Sequence, residues 1–347
     1  MRGLLKNQKG IALLVVLMVI AILAAVIVEF SYSARVNLHI VANHKDELKT
    51  YYIARAGIEA SKALLQYDLD KDGRKRVDYI VTGEDADPET ETWSQVRLLT
   101  TTEFGGVPIG DGILVGGITD ESSKININLL AYTYEDGKHK PKENIDLKSD
   151  KNSARTIVIK LLDNVLPDDI DVEPVDIANN IIDWIDVDDD DGDAGDDYYQ
   201  GLIPPYECKD APINSISELK MVRGINDTVY EKIEKYFTPY GEANVNINTA
   251  SFEVIQAIND VHEGKLLSEE ELDNFRLSPY DPERGHKTSI SSPFGVASNY
   301  FSIECIGIVN LGKKTEYAKT IKAIVKRNKP SSDEDIPPIE VLSWRVE

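Results

Sequence analysis

The chain has 347 residues, of which 60 are acidic and 38 basic, and its formal net charge is −22. A hydrophobic fraction of 42% is enough for buried cores and excludes a disordered chain. The acidic balance argues against a nucleic-acid partner, because phosphates need lysine and arginine. Two cysteines, Cys208 and Cys305, are too few for a disulfide framework, although they could pair in an oxidising compartment.

The first predicted element is an apolar segment, Ile11–Val28, with 18 residues and neither charge nor proline. Its length is near the lower limit of roughly 17–25 residues for a membrane-spanning helix. Three basic residues precede it and Glu29 follows it, which predicts a cytoplasmic N-terminus and an exported remainder. A cleaved secretory signal is the first alternative, but its apolar region is only about 7–15 residues long.

The same helix is predicted to continue past the apolar segment. Between Ile11 and Gln66 the sequence has no proline, and its one glycine is Gly57. Apolar side chains recur there at helical spacing, at Leu48, Tyr51, Ala54, Ile58 and Leu65. A helix from Ile11 to Gln66 would be roughly 80 Å long, so it would be half anchor and half support for a domain.

A basic leader that ends in Lys9-Gly10, followed by IALLVVLMVIAIL on a long helix, resembles the type IV pilins and pseudopilins. In that family a membrane-embedded aspartyl peptidase cuts after the glycine and methylates the new N-terminus. The resemblance therefore implies processing between Gly10 and Ile11. An uncut membrane anchor is the alternative, because many anchors carry Lys-Gly before an apolar run.

The fifth residue after the implied cleavage is Val15, where most subunits of these filaments have a glutamate. A carboxylate inside a bilayer is costly unless it finds a partner. In the family, that partner is the amino terminus of the next subunit toward the tip. A subunit without the glutamate loses nothing if no subunit sits above it, so Val15 is expected of a tip subunit. The alternative is that the chain is not a pilin.

Several later segments alternate as β-strands do. The predicted strands are 112–118, 124–128, 301–309, 321–325 and the final PIEVLSWRVE, with a turn at 310–313. The predicted fold is α+β: a type IV pilin-like long N-terminal helix packed on an antiparallel β-sheet, with a large inserted all-helical domain. The predicted domains are the leader (1–10), the transmembrane part of the helix (11–30), the pilin-like domain (31–135 and 281–347) and the insert (136–280).

The insert contains helical patterns and capping signals. SARTIVIKLLDNVL and PVDIANNIIDWID both have helical spacing, and Ser215 with Glu218 has that of a capping box. The segment SISELKMVRGINDTVYEKIEKYF resembles a helix-hairpin-helix with Gly224 at its turn. Because its neighbourhood is acidic, we interpret it as a packing unit instead of a DNA-binding hairpin. A weak internal repeat pairs ININLLA with VNINTAS.

An acidic run begins in the second helical pattern. Nine aspartates occur among the fifteen residues from Asp183 to Asp197. So many carboxylates repel one another, and an excess of hard oxygen ligands favours calcium. The alternative is a solvated acidic loop. Trp184 and the pair Tyr198-Tyr199 flank the run, which favours a loop fixed to a core.

A second candidate metal site, DLDKDG, begins at Asp68 and resembles the first half of an EF-hand loop. Its candidate ligands are Asp68, Asp70 and Asp72. Its twelfth position is Tyr79, where an EF-hand has a bidentate glutamate.

Taken together, these features resemble the large minor pseudopilins of type II secretion, the K subunits, over nearly the whole chain. In that family the acidic loop binds a pair of calcium ions. The matching positions are Asp186, Asp188, Asp196 and Asp197, with Asp183 and Asp190 as further candidates. The stretch 193–196 departs from the family's usual Gly-Ala-Glu-Asp, which leaves the ligand set open.

The resemblance implies an assembling role without catalysis, in an inner-membrane protein whose bulk is periplasmic. The K subunit would join the I and J minor pseudopilins through long helices, sit uppermost, and seed the major pseudopilin rod that exports folded proteins. Alternatives are a minor pilin of a type IV pilus, for adhesion or DNA uptake, and a membrane-tethered periplasmic calcium-dependent binding module. The five histidines form no H-E-x-x-H, and G-x-S-x-G does not occur.

Overall fold

A computed structural model describes residues 8–70, 106–135, 138–142, 154–167, 169–187, 195–268, 271–272, 293–313, 315–328 and 338–347. The helices are α1 (Gln8–Asp70), α2 (Ala154–Val165), α3 (Pro174–Ile185), α4 (Gly195–Gln200), α5 (Asp227–Ile233) and α6 (Phe252–Val261). The strands are β1 (Val107–Ile109), β2 (Gly112–Asp120), β3 (Ile125–Asn126), β4 (Tyr132–Glu135), β5 (Lys138–Pro141), β6 (Phe237–Thr238), β7 (Val245–Asn246), β8 (Phe294–Gly295), β9 (Tyr300–Val309), β10 (Tyr317–Arg327) and β11 (Ile339–Val346).

Helix α1 is continuous over 63 residues, or roughly 95 Å at 1.5 Å per residue. Among the described residues, one helical stretch, Ile11–Gln66, is long and apolar enough to cross a membrane, and its most apolar window is 0% buried. The predicted long helix is therefore confirmed. Its second half turns an apolar face toward the sheet, where Ala54, Ile58 and Leu65 are fully buried.

The main sheet has five antiparallel strands in the order β1-β2-β9-β10-β11. Helix α1 packs on β9, β10 and β2. The close approach depends on Gly307, since a Cβ there would lie directly against the carbonyl oxygen of Thr50 and 2.9 Å from the amide nitrogen of Ala54. The predicted pilin-like α+β arrangement is confirmed.

One predicted strand is shorter than expected. Of 124–128, the residues Ile125 and Asn126 are extended, and Ile127–Leu130 form a 3₁₀ helix. The reason is local, because the Asn126 side chain accepts a hydrogen bond from the Asn128 backbone N–H at 3.0 Å. Such a cap competes with strand pairing. The turn after β9 is confirmed, with Asn310 and Gly312 both at positive φ.

The thiol of Cys305 lies in the core between β9 and α1. It is 3% exposed, and burial raises its pKa to about 12. Because the thiolate is the reactive form, we expect alkylation at pH 8 to be slower than that of a free thiol by about a thousandfold. Alkylation of the full chain in detergent, in a Cys208→Ser background, would measure this. Rapid labelling under native conditions would mean that α1 lifts readily from the sheet.

The chain between β2 and β9 forms a second hydrophobic core, which is separate from the core under α1. Helices α2, α3, α5 and α6 supply most of it. The expected all-helical content is supplemented by two short parallel pairs, β3 with β6 and β7 with β8. The predicted boundaries of this insert, 136 and 280, lie outside the described residues. The assignment of domains therefore stays a prediction.

The internal repeat has a structural counterpart. Each copy places two residues in a strand and then turns, since the Asn246 side chain accepts from the Asn248 N–H at 3.0 Å just as Asn126 accepts from Asn128. The two segments therefore share one local device, which ends a strand with an asparagine side chain.

A buried polar cluster joins the two cores where the chain passes between them. Asp120, at the end of β2, accepts hydrogen bonds from the hydroxyls of Thr249 and Ser298 and from the Ser122 N–H. Arg327, at the end of β10, donates to the Ser298 carbonyl at 2.6 Å. We call Asp120, Asn246, Thr249, Ser298 and Arg327 the Asp120 joint. All five are at most 8% exposed.

Candidate metal centre

The acidic run starts at the end of α3, whose position follows from its apolar face. Ile177, Ile181, Trp184 and Ile185, predicted to share a face, are all at most 3% exposed. The helix begins at Pro174, which is favoured in a first turn, and ends when the Asp186 N–H binds the Ile182 carbonyl at 2.8 Å. The run therefore leaves a helix that is fixed in the insert core.

The six candidate ligands are described to different extents. Asp183 lies in α3 and Asp186 caps it, and both side chains are half-buried. The backbones of Asp196 and Asp197 lie in α4, while Asp188 and Asp190 lie outside the described residues. Within the described ranges, no group of three acidic, histidine or cysteine side chains is arranged to hold a metal ion.

An aromatic frame holds the two ends of the run together. The ring of Trp184, in α3, meets the ring of Tyr199, in α4, edge-on with centroids 5.1 Å apart. Tyr206 packs against both, at 6.1 Å from Trp184 and 5.4 Å from Tyr199. The flanking aromatics that the sequence singled out are therefore a core contact, which fixes where the run leaves and re-enters the helices.

Hydrogen bonds tie the end of α3 to other segments. The Tyr132 hydroxyl donates to the Ile185 carbonyl at 2.8 Å, and the Asp210 N–H donates to the Trp184 carbonyl at 3.3 Å. On the other side of the run, the Tyr199 hydroxyl accepts from the Arg223 N–H at 3.1 Å. The ends of the run are therefore held by three segments that are distant in sequence, at Tyr132, Asp210 and Arg223.

Asp210 was not among the predicted site residues. Burial, followed by the charges of Asp186 and Asp210, raises the pKa of Tyr132, so both carboxylates act on the same hydroxyl. Burial also raises the pKa of Tyr199 well above its ordinary value. Both phenols therefore stay protonated and serve as hydrogen-bonding groups. Nothing in the sequence pointed to Asp210, because it lies outside the acidic run.

The donor chemistry here fits a hard cation. Asp183 and Asp186 offer carboxylate oxygens, which calcium prefers. The Trp184 indole N–H is buried and has no hydrogen-bond partner among the described residues. As a donor it does not ligate a cation, but it suits a carboxylate oxygen or a water bound beside one.

Replacing Trp184 with phenylalanine should change the free energy of unfolding by no more than about 1 kcal/mol. The smaller ring loses packing, but the change also removes a buried donor whose desolvation costs about 1–3 kcal/mol. Urea unfolding of the two proteins without added metal would measure the difference. A loss above about 3 kcal/mol would mean that the N–H is satisfied in the native protein.

The second candidate metal site and the processing site both involve α1. Asp68 and Asp70 lie at the end of α1, and Asp72 lies outside the described residues. Gly10 and Ile11 lie in the first turns of α1, where the Ile11 side chain is 61% exposed. The two cysteines are both free, so the pairing left open by the sequence does not occur.

Comparison with known proteins identifies relatives that match most of the chain. The family described as type II secretion system (T2SS), protein K matches residues 123–242. The type II secretion system protein K of Pseudomonas aeruginosa is 24% identical over 324 residues, which cover 90% of this chain and 87% of the relative. That of Aeromonas hydrophila is 26% identical over 251 residues, or 70% and 68% of the two chains.

Residues 123–242 match the type II secretion system protein K family, and relatives that bear this name cover most of the chain. It is a minor pseudopilin, as the K-family resemblance implied. A solved chain of the GspK-GspI-GspJ complex from enterotoxigenic Escherichia coli shares the fold, with a TM-score of 0.56 and 16% identity over 90% of this chain and 99% of that one. The family match begins at the 3₁₀ helix after β2 and includes α2 to α5, so it covers the acidic run and its aromatic frame.

Proposed function

We propose that this K-family chain is the tip subunit of the type II secretion pseudopilus. The observation that carries the proposal is Val15, an apolar residue within the apolar part of α1 at the place where a filament subunit needs its glutamate. A subunit without this carboxylate has no bond to offer a subunit above it. The bulk of the insert, which lies beside the sheet, also favours an end position over the interior of a packed rod.

The chain is anchored by the first part of α1, with the leader in the cytoplasm and the sheet and insert in the periplasm. The basic residues before Ile11 and the first acidic residue after Val28 support this orientation. Prepilin peptidase removes residues 1–10 and methylates Ile11. Intact-mass measurement of the membrane-bound protein is expected to show this shortened, methylated form. Recovery of uncut Met1 from cells with active peptidase would contradict it.

Its partners are the I and J minor pseudopilins and, through them, the major pseudopilin. The solved relative comes from a complex of three such subunits, which supports this choice. The role is to initiate assembly of the rod that drives folded proteins across the outer membrane, and it requires no catalysis. Gold labelling of an affinity tag after Glu347 is expected at one end of each pseudopilus. Labels spread along the rods would rule out the tip role.

Calcium holds the acidic run in one shape. Asp183, Asp186, Asp188, Asp190, Asp196 and Asp197 are the proposed ligands, with Asp210 close enough to act on the same charge cluster. Asp68, Asp70 and Asp72 stay a weaker second candidate. The support is the carboxylate donor set and the fixed aromatic frame beneath it.

Calcium at a hundred times its dissociation constant is expected to stabilise the full chain by about 2.7 kcal/mol, because it binds the folded state alone. Thermal unfolding in detergent, with calcium or chelator, would measure the shift. Asp186→Asn should reduce it, whereas Asp169→Asn, an exposed acid outside the run, should leave it unchanged. Identical melting temperatures with calcium and with chelator would mean that the run is a solvated acidic loop that binds no calcium.

A further inference from the structure

The segment that follows α4 runs beside the last turn of α3 and is held there by three contacts. The ring of Tyr206 packs on that of Trp184, with centroids 6.1 Å apart. The Cys208 thiol donates to the Asp183 carbonyl, with sulfur and oxygen 3.6 Å apart, and the Asp210 N–H donates to the Trp184 carbonyl at 3.3 Å. The position of Asp210 relative to the start of the acidic run is therefore fixed through its own backbone.

The last four carbonyls of α3, those of residues 182–185, all accept hydrogen bonds from within the protein. Asp186 and Tyr132 donate the two bonds that the segment 206–210 does not. Because these carbonyls already have donors, the carboxylates near them are the better candidates to ligate a cation. Calcium prefers such oxygens and takes roughly six to eight of them, so it needs ligands from more than one residue.

Two carboxylates from different parts of the chain lie at this end of α3. Asp186 is the first residue after the helix, and Asp210 approaches it from the segment 206–210. Burial, and after it the charges of both carboxylates, raises the pKa of the Tyr132 hydroxyl, so both carboxylates lie close to one oxygen atom. A helix C-terminus carries partial negative charge, which makes two further negative charges unfavourable there and a cation favourable.

Asp210 has a backbone conformation that costs stability. Its φ is +48°, in the left-handed region, where residues other than glycine are uncommon and aspartate is among the better tolerated. Residues strained in this way cluster at binding and catalytic sites, where the surrounding structure holds them. Glycine would suit the backbone at position 210 better than aspartate does. The carboxylate of Asp210 is therefore expected to have a role that offsets the strain.

The indole N–H of Trp184 also points to a ligand at this helix end. The side chain is 3% exposed, and the N–H has no hydrogen-bond partner among the described residues. A buried donor without a partner is costly, so we expect it to bind an acceptor such as a carboxylate oxygen or a metal-bound water. Trp184 also carries the carbonyl that accepts from Asp210, so donor and carboxylate belong to the same small region.

We propose that Asp210 is a ligand of the bound calcium, and that the ion joins the end of α3, at Asp186, to the segment 206–210. Asp210 lies outside the acidic run, so the site takes ligands from two separate parts of the insert. The ion neutralises two carboxylates that the backbone holds beside a helix C-terminus, and it fixes the segment against the helix. This role of Asp210 rests on the calcium binding proposed above and adds a ligand that the run does not contain.

Calorimetric titration of the full chain in detergent with calcium tests this role. Asp210→Asn is expected to weaken calcium binding by roughly tenfold or more, because fewer charged ligands lower calcium affinity. Glu207→Gln is the matched control, since Glu207 is also an exposed acid of the segment 206–210 and its loss removes the same charge. Its dissociation constant should equal that of the wild type. Asp210→Gly should bind as weakly as Asp210→Asn and yet melt, in chelator, no lower than the wild type, because glycine suits the left-handed backbone.

Hydrogen exchange distinguishes this two-part site from a site within the run alone. Calcium should slow exchange of the backbone amides at 206–210 in the wild type, and should leave it unchanged in Asp210→Asn. If Asp210→Asn keeps wild-type affinity while Asp186→Asn binds weakly, the run binds calcium without Asp210, so the role of Asp210 is wrong although the calcium proposal stands. If the wild type binds no calcium, the calcium proposal fails and the role of Asp210 fails with it.

Discussion

Replacing Asp120 with alanine is expected to lower the free energy of unfolding by about 3–5 kcal/mol. The side chain is 3% exposed and accepts from two hydroxyls and one backbone N–H, so its removal takes a short hydrogen bond from each of the Thr249 and Ser298 hydroxyls. The lost hydrogen bonds are those that connect the two hydrophobic cores. Denaturant unfolding of the full chain in detergent would measure it, and hydrogen exchange should locate new opening at 121–123 and 296–299.

Asp111→Ala is the control for this experiment. Asp111 pairs with Lys49 on the surface and is largely exposed, so its loss should leave stability unchanged within error. Asp120→Asn should fall between the two, since an amide keeps one acceptor oxygen. A loss below about 1 kcal/mol for Asp120→Ala would mean that water replaces the carboxylate, and that the joint does not hold the insert.

The second large effect is expected from Gly307→Ala, which should cost about 3 kcal/mol. An added Cβ would press on the backbone of α1 at Thr50 and Ala54, and backbone cannot move aside as a flexible side chain does. Helix α1 must then lift from β9, which opens the core that contains Cys305. The free energy of unfolding should therefore fall and the alkylation rate of Cys305 should rise in the same variant.

Gly295→Ala provides the matched substitution. A Cβ at Gly295 would have its nearest contact at 3.6 Å from Asn244, an ordinary van der Waals distance, so we expect a change within about 1 kcal/mol. Equal effects of the two alanines would show that the loss comes from the strand backbone and not from the contact with α1.

The sequence predicted the elements whose period is regular. Helix α1 and strands β2, β9, β10 and β11 follow from apolar residues at helical or alternating spacing. The strand expected at 124–128 was too long, because the periodicity does not include the competing hydrogen bond from the Asn126 side chain. The Asp120 joint was beyond prediction, since its other residues lie more than a hundred positions from Asp120 and look individually like ordinary polar residues.

The candidate site was predictable at its edges. Trp184 and Tyr199 were predicted to fix the loop to a core because they flank the charge run, and they do meet in the core. Asp210 was not recognised, because a distant loop brings it to Trp184 through a backbone hydrogen bond. The exposure of Val341, Trp344 and Val346 in β11 could not be predicted either. Their alternation is that of any edge strand, and only the position of α1 determines that they are left uncovered.

Asp120 and Phe301 are direct partners in the pairing of β2 with β9. Two antiparallel neighbours are ordinarily joined by a turn of two to five residues, so everything from 121 to 299 occupies the place of a single hairpin turn. Without residues 121–299, the strand order and pairing of the pilin-like sheet would be unchanged. A miniature chain, with Asn-Gly joining the two strands, would retain the sheet and helix while losing the acidic run, and would separate what the filament needs from what the insert adds.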